Sequence, residues 1–165
     1  MIKKNRPVYL CGFMGCGKST IGRLLAKKLG REFVDLDDYI VQREGMSIPQ
    51  IFEQRGENYF REVETVALSE LSAAAGVVAT GGGTLLKKEN GDRAKSMGTV
   101  VFIDAPFDIC YERIKGDKNR PIAYNSTREQ LLDRYEQRKP LYKENSDFSV
   151  NGNAAPMQIV SDILD

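Results

Sequence analysis

The chain has 165 residues, the size of one ordinary domain, and its 41% hydrophobic and 28% charged residues are typical of a globular protein with its own core. The formal net charge of +1 gives no general electrostatic attraction to nucleic acid or to a membrane surface. Three cysteines and no histidine nearly exclude a zinc site and an imidazole base. The apolar run at the N-terminus is too short for a signal peptide and no stretch approaches a membrane span, so we expect a cytoplasmic protein with reduced cysteines.

Short apolar runs alternate with helical patterns along the chain. The predicted strands cover residues 8–11, 32–35, 77–80, 99–103 and 148–150. A helix that opens on a capping box at residues 47–50 is expected to end near Gly56, and a longer helix follows it to Leu71. The other helices are predicted from Lys18 to a C-cap at Gly30, from Pro106 to about Ile114, from a cap at Thr127 with Gln130, and over 159–163. This alternation predicts a three-layer α/β fold, in which helices cover both faces of a parallel sheet.

A glycine-rich sequence follows the first predicted strand. Residues 12–19 fit G-x-x-x-x-G-K-[ST] at every fixed position, with a strand before them and a helix after them. Glycines let backbone N–H groups curl around an anion, and the following helix presents its positive end to it. The lysine of such a loop reaches the β- and γ-phosphates, and the hydroxyl residue binds Mg²⁺.

The pattern therefore predicts a nucleotide-binding loop, and the alternative is a glycine-rich turn that binds nothing. Cys16 occupies a free position, where a small filling residue is expected rather than a catalytic thiol. The residues expected to hold the nucleotide are Gly15, Cys16, Gly17, Lys18, Ser19 and Thr20.

A phosphate loop alone does not distinguish a small-molecule kinase from a GTPase or an ATP-driven machine. The chain has no N-K-x-D stretch of the kind that selects guanine in GTPases. Asp104 ends the fourth predicted strand as the metal-side aspartate of an ATPase does, but it could equally cap the helix after Pro106, and we favour this structural role. A kinase needs a second pocket beside the γ-phosphate, with a base for a hydroxyl group and anchors for the acceptor.

Two carboxylates after the second strand are candidates for metal binding and proton transfer. Asp35 and Asp37 flank Leu36, so on an extended strand end their side chains would point the same way, at the sheet edge where ligands bind in open α/β sheets. One could hold the metal through water, and the other could accept a hydroxyl proton. The alternative is that Asp37 or Asp38 only caps a helix starting near Tyr39, which is more plausible for Asp38.

Two arginines are candidates for binding an acidic acceptor. Arg61 lies in the first turns of a helix, where its alternative role is an i,i+4 ion pair with Glu57. Arg138 lies one turn after Arg134, and repulsion at that spacing calls for a nearby acid or a bound anion. Two guanidinium groups are suited to an acidic substrate, because their planar forks match a carboxylate.

A glycine triplet and a loop arginine complete the candidate set. Gly81–Gly83 directly follow the third strand, and three consecutive glycines are costly in chain entropy, so we expect a backbone that a ligand approaches closely. Arg120 lies in the polar loop 115–121 and is placed like an arginine of a lid that covers the phosphates on closure. A solvated surface arginine is an equal alternative.

Taken together, these segments resemble the shikimate kinase family over nearly the whole chain. The markers are G-x-x-G-x-G-K-S-T at 12–20, D-x-D at 35–37, F-x-x-x-G-E-x-x-F-R at 52–61, the glycines at 81–83, R-P at 120–121 and R-K-P-L-Y at 138–142. The resemblance implies a P-loop NTPase fold of the nucleoside-monophosphate-kinase type, with strand order 2-3-1-4-5. It also implies one kinase domain over 1–165, a lid at approximately 115–126, an acceptor-binding helical segment at approximately 37–64, and usually a monomer.

The resemblance further implies ATP-dependent phosphorylation of the 3-hydroxyl of shikimate, giving 3-phosphoshikimate and ADP on the way to the aromatic amino acids. In the acceptor pocket, the resemblance implies that Asp37 holds the ring hydroxyls and acts as the base. Arg61 and Arg138 would bind the carboxylate between them. The backbone of Gly81, Gly82 and Gly83 would close the pocket, with Gly82 the most important of the three. On the nucleotide side, Lys18, Ser19 and the loop backbone would hold Mg-ATP, and Asp35 would bind the water shell of the metal. Arg120 would contact the phosphates, and Arg113 would stack on the adenine.

Two other functions stay open at this point. A kinase of another small anionic alcohol, such as gluconate, would share the loop and the lid but would have less need of both Arg61 and Arg138. A nucleotide-binding regulatory module without transfer activity would be expected to have lost Lys18, Asp37 or Arg120, and all three are present.

Overall fold

A five-stranded parallel sheet forms the centre of the protein. The structure is a computed structural model that describes residues 2–71 and 76–165. The strands are β1 (Val8–Cys11), β2 (Phe33–Asp35), β3 (Val77–Ala79), β4 (Thr99–Asp104) and β5 (Phe148–Asn151). They lie in the order β2-β3-β1-β4-β5, and every neighbouring pair is parallel. The predicted fold class and strand order are therefore confirmed.

The central strand β1 is buried from both faces of the sheet. Val8 lies opposite Val77 on one side and opposite Thr99 on the other, and all four β1 residues are fully buried. Strands buried on both faces consist of continuous apolar runs rather than alternating polar and apolar residues, and the sequences VYLC and TVVFI of β1 and β4 follow that rule.

Eight helices surround the sheet in the described part of the chain. They are α1 (Lys18–Leu29), α2 (Leu36–Glu44), α3 (Ile48–Leu71), α4 (Lys88–Met97), α5 (Phe107–Ile114), α6 (Pro121–Tyr124), α7 (Arg128–Glu144) and α8 (Pro156–Leu164). Helix α1 packs against α8, and α5 packs against α7. No helix within residues 2–71 and 76–165 combines the length and the apolar character needed to cross a membrane.

Local sequence signals set several helix boundaries. Ser47 and Gln50 exchange backbone-to-side-chain hydrogen bonds of 3.3 and 2.9 Å before α3, and Thr127 and Gln130 form the same capping box before α7. Within α3, Gly56 has φ 86° and ψ 168°, so the helix is broken there, where the sequence predicted its first part to end.

The capping role predicted for Asp104 is wrong. The N-cap of α5 is Pro106, and no side chain caps this helix. Asp104 remains in β4, paired with β5, and its carboxylate lies 3.5 Å from the Nζ atom of Lys139. Because the strand runs up to Asp104, the chain needs two more residues to turn into the helix.

The parallel arrangement brings several loops to one edge of the sheet. The carboxyl end of β1 leads into the glycine-rich loop, β2 ends at Asp35, and β3 is followed by residues 80–83. In open α/β sheets this edge is where ligands bind.

Candidate active site

The glycine-rich loop curls between β1 and α1. Gly15 and Gly17 have φ values of 81° and 103°, which side-chain-bearing residues rarely adopt, so glycine is required at both positions. The ammonium group of Lys18 lies across the loop and donates hydrogen bonds to the carbonyls of Gly12 (2.7 Å) and Phe13 (3.1 Å). The loop therefore holds its lysine at the mouth of the turn, with the backbone curled around it.

A cavity of about 440 Å³ opens over this loop. The Cys16 side chain is buried, as expected of a filling residue. From α5, the Arg113 guanidinium donates a hydrogen bond to the Gly15 carbonyl at 2.9 Å. The walls bring together every residue that the sequence predicted for the nucleotide: Gly15, Cys16, Gly17, Lys18, Ser19, Thr20, Arg113 and Arg120.

The two predicted metal-binding residues are in direct contact. The Ser19 hydroxyl donates a hydrogen bond of 2.5 Å to one carboxylate oxygen of Asp35. The other carboxylate oxygen accepts the backbone N–H groups of Asp37 (2.9 Å) and Asp38 (3.2 Å), so Asp35 is the N-cap of α2. The alternative that Asp37 or Asp38 caps this helix is therefore wrong, because the helix begins at Leu36, three residues earlier than expected.

Asp37 lies in the first turn of α2 rather than on a strand end. The prediction that Asp35 and Asp37 point the same way from an extended strand is therefore wrong in its geometry. Both carboxylates nevertheless line the 440 Å³ cavity, because the cap brings the helix start back over the end of β2.

The electrostatic surroundings of Asp37 disfavour its charged form. Burial raises the pKa of this carboxyl group from 3.8 to about 6, and the negative charges of Asp35 and Glu64 add to the effect. The positive charges of Lys18 and Arg120 oppose it. Asp37 is thus a carboxylate whose proton affinity is raised into the range useful for proton transfer near neutral pH.

A second, smaller cavity of about 60 Å³ adjoins the first. It lies between α3, α7, the loop after β3 and the segment around α6. Met14 and Phe60 contribute apolar surface to it. All of the residues that the sequence predicted for the acceptor line this cavity: Asp37, Arg61, Gly81, Gly82, Gly83 and Arg138.

The Arg61 guanidinium is held by two carboxylates of its own helix. It lies 2.7 Å from Glu64 and 3.2 Å from Glu57, so the predicted i,i+4 pair is present together with a closer i,i+3 pair. Burial disfavours its charge, but the two carboxylates outweigh burial and raise the pKa of Arg61. Its orientation is therefore fixed from within α3.

Arg138 is a buried cation without an acidic partner among the described residues. Its side chain and backbone together are 8% exposed, and it forms none of the ion pairs found in this part of the chain. Burial lowers the pKa of Arg138, and the nearby positive charges of Arg134 and Arg61 act in the same direction. Of the two expected ways to compensate its charge, a nearby acid is not found among the described residues, and a bound anion stays a prediction.

Two glycines of the triplet, Gly81 and Gly83, lie in crowded surroundings. A Cβ atom on Gly83 would lie 2.3 Å from Nη1 of Arg61, and one on Gly81 would lie 2.8 Å from a carboxylate oxygen of Glu64. These contacts are shorter than real Cβ atoms make, so any larger residue would displace the arginine or its carboxylate partner. The backbone of Gly81 and Gly83 therefore lies close against cavity side chains, and the expected close approach of a ligand stays a prediction.

Arg120 lines both cavities. Its Nε atom donates to the carboxylate of Asp117 at 3.2 Å, and its backbone N–H donates to the Asp117 carbonyl at 3.2 Å. The side chain is 39% exposed. Arg120 is therefore ion-paired within the loop that precedes α6, with its guanidinium at the boundary of the two cavities.

Comparisons with known proteins agree with this geometry. A family model described as shikimate kinase matches residues 14–165. The shikimate kinase of Aquifex aeolicus (strain VF5) is 43% identical over 158 residues, which cover 95% of this chain and 93% of that relative. This chain belongs to the shikimate kinase family. Shikimate kinases are ATP-dependent phosphotransferases.

Solved structures extend the comparison. A shikimate kinase from Acinetobacter baumannii in complex with shikimate superposes with a TM-score of 0.91 at 41% identity, covering 96% of this chain and 90% of that chain. A gluconokinase from Sinorhizobium meliloti 1021 has a TM-score of 0.63 at 18% identity, covering 97% of this chain and 90% of that chain. The gluconokinase therefore shares the fold with this member of the shikimate kinase family.

Among the charged residues described in the wall of the acceptor cavity, sequence reasoning missed Glu64. It is 1% exposed, pairs with Arg61, and accepts a hydrogen bond of 2.5 Å from the Thr84 hydroxyl. A glutamate three residues after an arginine on a helix is a recognised ion pair, so the spacing could have revealed it. Its burial, which makes the pair consequential, depends on the loop after β3 and is not visible in the spacing.

Proposed function

We propose that this protein transfers the γ-phosphoryl group of ATP to the 3-hydroxyl of shikimate, giving 3-phosphoshikimate and ADP. One observation carries the proposal: the two cavities share Asp37, Gly81, Gly82 and Arg120 in their walls. A phosphoryl group in the larger cavity and a hydroxyl group in the smaller one would meet at a boundary that offers one carboxylate and one guanidinium. Phosphoryl transfer to an alcohol requires a carboxylate to accept the hydroxyl proton and a cation to stabilise the charge on the phosphoryl oxygens.

Asp37 is the proposed base. With a pKa of about 6, it is mostly ionised at pH 7–8 and takes the proton of the acceptor hydroxyl as the new O–P bond forms. Lys18 and Arg120 are proposed to neutralise the negative charge on the phosphoryl oxygens during transfer. The Coulombic influence of both cations on Asp37 supports their closeness to the reacting atoms.

Ser19 and Asp35 are proposed to hold Mg²⁺, which would neutralise negative charge on the phosphates when bound. Their hydroxyl and carboxylate oxygens are the hard donors that this ion prefers. Within the described residues there is no cluster of three histidine, cysteine or acidic side chains that could cage a metal. That fits an ion held by few protein ligands and completed by phosphates and water.

Arg61 and Arg138 are proposed to bind the substrate carboxylate. Arg61 contributes a fixed orientation through Glu64, and Arg138 contributes a buried positive charge that lacks an acidic partner in the described structure. Gluconate also carries a carboxylate, but the relative that is 43% identical over 95% of this chain is a shikimate kinase, whereas the gluconokinase shares 18% identity.

Residues 115–126 are proposed to act as a lid, and residues 37–64 as the acceptor-binding segment. Residues 119–122 already line the acceptor cavity, whose 60 Å³ is well below the roughly 300–1,000 Å³ usual for ligand pockets. We propose that the lid moves outward to admit the substrate and returns to cover it.

We further propose that the enzyme works as a cytoplasmic monomer. The three cysteines are free thiols, as expected in a reducing compartment. The exposed large hydrophobic side chains of the described residues lie on separate elements and are Val66, Tyr124, Leu141 and Met157. Sedimentation of the purified protein tests the oligomeric state.

The decisive experiment measures ADP release from Mg-ATP with shikimate, with gluconate, with nucleoside monophosphates and with no acceptor. The proposal predicts release that depends on shikimate, with a phosphorylated product found by mass spectrometry. Release that depends on gluconate instead would refute the assignment of the acceptor. Slow hydrolysis that ignores every acceptor would favour a nucleotide-binding module without transfer activity.

A further inference from the structure

The hydroxyl group of Tyr142 makes a partly buried contact with the backbone of residues 80–83, the loop after β3, which we call the acceptor loop. Tyr142 lies near the end of α7 and is 2% exposed. Its ring packs against that of Phe102 on β4, with centroids 5.3 Å apart, and its hydroxyl donates a hydrogen bond to the carbonyl of Gly82. The ring is thus anchored in the core while the hydroxyl reaches the loop that lines the acceptor cavity.

The same carbonyl receives a second donor from the same helix. Nη1 of Arg138, one turn before Tyr142, donates to the Gly82 carbonyl at 3.4 Å. The Arg138 guanidinium and the Tyr142 hydroxyl thus meet at this shared acceptor, and each influences the pKa of the other. One tyrosine hydroxyl therefore connects the guanidinium proposed to bind the carboxylate with the glycine backbone proposed to close the pocket.

This contact determines the direction of the next N–H group. In a trans peptide the C=O of one residue and the N–H of the following residue point in opposite directions. Because the Gly82 carbonyl faces α7, the N–H of Gly83 points away from that helix. Within the described residues the N–H groups of Gly82 and Gly83 donate to no protein acceptor, whereas the N–H of Gly81 donates to the Thr84 hydroxyl at 3.0 Å.

We propose that Tyr142 is a positioning residue for acceptor binding, an inference that rests on the proposed function. Its hydroxyl fixes the peptide between Gly82 and Gly83, so that the Gly83 N–H is held as a donor to an oxygen of the acceptor. It also holds Arg138 in the orientation that meets the carboxylate. Tyr142 itself does not touch the substrate, the nucleotide or the transferred group.

The test is Tyr142→Phe, with Tyr135→Phe as the matched control. Both tyrosines lie on α7, and the Tyr135 hydroxyl also donates to a backbone carbonyl, that of Ala105, at 2.8 Å. Each variant loses one hydrogen bond from a tyrosine hydroxyl to a backbone carbonyl and keeps the aromatic ring. Of the two hydroxyl groups, only that of Tyr142 contacts the acceptor loop. Steady-state kinetics with shikimate and ATP varied separately, and thermal unfolding of both variants, are the measurements.

If Tyr142 is a positioning residue, Tyr142→Phe should raise the KM for shikimate about tenfold, a change that corresponds to the free energy of about one hydrogen bond. The KM for ATP should change by no more than about twofold. Tyr135→Phe should leave both KM values unchanged, although both variants lose thermal stability. If Tyr142 had only a structural role, Tyr142→Phe would have a smaller active fraction and a lower kcat, but its KM for shikimate would be unchanged. That result would overturn the proposal.

A second measurement does not depend on the folding of a variant. In ¹⁵N-labelled wild-type protein, saturation with shikimate should shift the amide resonance of Gly83. A Gly83 resonance that stays in place would overturn the proposal. Wild-type protein without shikimate-dependent ADP release would instead refute the proposed function itself, so the two failures are distinguishable.

Discussion

Replacing Asp37 by asparagine should make the protein more stable while removing most of its activity. The pKa of this carboxyl group is 3.8 in an unfolded chain and about 6 in the folded protein, so the folded state holds the proton more tightly. The stability that the neutral form provides is fully present below pH 4 and is lost as the pH rises through 6. One pKa unit corresponds to about 1.4 kcal/mol, so above pH 7 the charged group lowers the free energy of unfolding by up to about 3 kcal/mol.

Asparagine keeps the shape of the side chain but has no charge to bury, so Asp37→Asn avoids this loss. At pH 8 and without nucleotide, its Tm should exceed that of the wild type by up to about 6–12 °C, since 1 kcal/mol is worth about 2–4 °C in a protein of this size. At pH 4.5, where the wild-type carboxyl group is mostly protonated, most of the difference should disappear. Thermal unfolding followed by circular dichroism at both pH values measures it.

The matched control is Asp38→Asn, which removes a charge from the adjacent, exposed position of the same helix turn. Solvent screening makes its effect on Tm small at either pH. An Asp37→Asn variant that is less stable than the wild type at pH 8, or whose Tm difference is the same at both pH values, would refute the argument that burial of this charge raises the pKa.

Three further variants test the other parts of the site. Arg138→Ala should lower kcat/KM for shikimate roughly 100-fold, because it removes a charged, forked donor, while Arg134→Ala on the same helix should have little effect; an equal loss in both would point to a general electrostatic role. Gly83→Ala places a Cβ 2.3 Å from the Arg61 guanidinium, so the guanidinium must move, and kcat/KM for shikimate should fall roughly 10–100-fold with the ATP KM unchanged. Arg120→Ala should lower kcat roughly 100–1,000-fold yet shift Tm by no more than about 2 °C, because its ion pair is exposed; unaltered kcat would remove it from the transfer step.

Much of this fold could be predicted because local signals and tertiary packing agree. Short stretches of sequence determine the apolar strands, the two capping boxes and the break at Gly56. The structure has all of these features. The phosphate loop and its helix were equally local. The strand order came from the family resemblance, since periodicity alone does not order parallel strands.

The wrong predictions for the aspartates share one physical cause. An aspartate at the end of a strand can cap the next helix, form an ion pair or face a ligand. Asp35 proved to be the cap of α2, a role that the sequence offered as an alternative for Asp37 or Asp38, and Asp104 proved to pair with Lys139. The choice between these roles depends on the residue at which the strand ends, and sequence patterns locate that end only within a residue or two. Glu64 was missed because its importance comes from burial beneath a loop that is distant in sequence.

The ion pairs around the acceptor cavity also determine how many charges a ligand should carry. Arg61 is paired with two carboxylates of α3, Glu57 and Glu64, whereas Arg138 has no acidic partner in the described structure, so Arg138 is the cation that a ligand would have to compensate. A monoanion leaves that part of the cavity neutral. A neutral amide or ester of the same ring would leave a buried guanidinium uncompensated, and a dianion would bring a charge without a partner. We therefore expect selectivity for acceptors of one negative charge, set by a buried guanidinium that the described part of the chain leaves without an acidic partner.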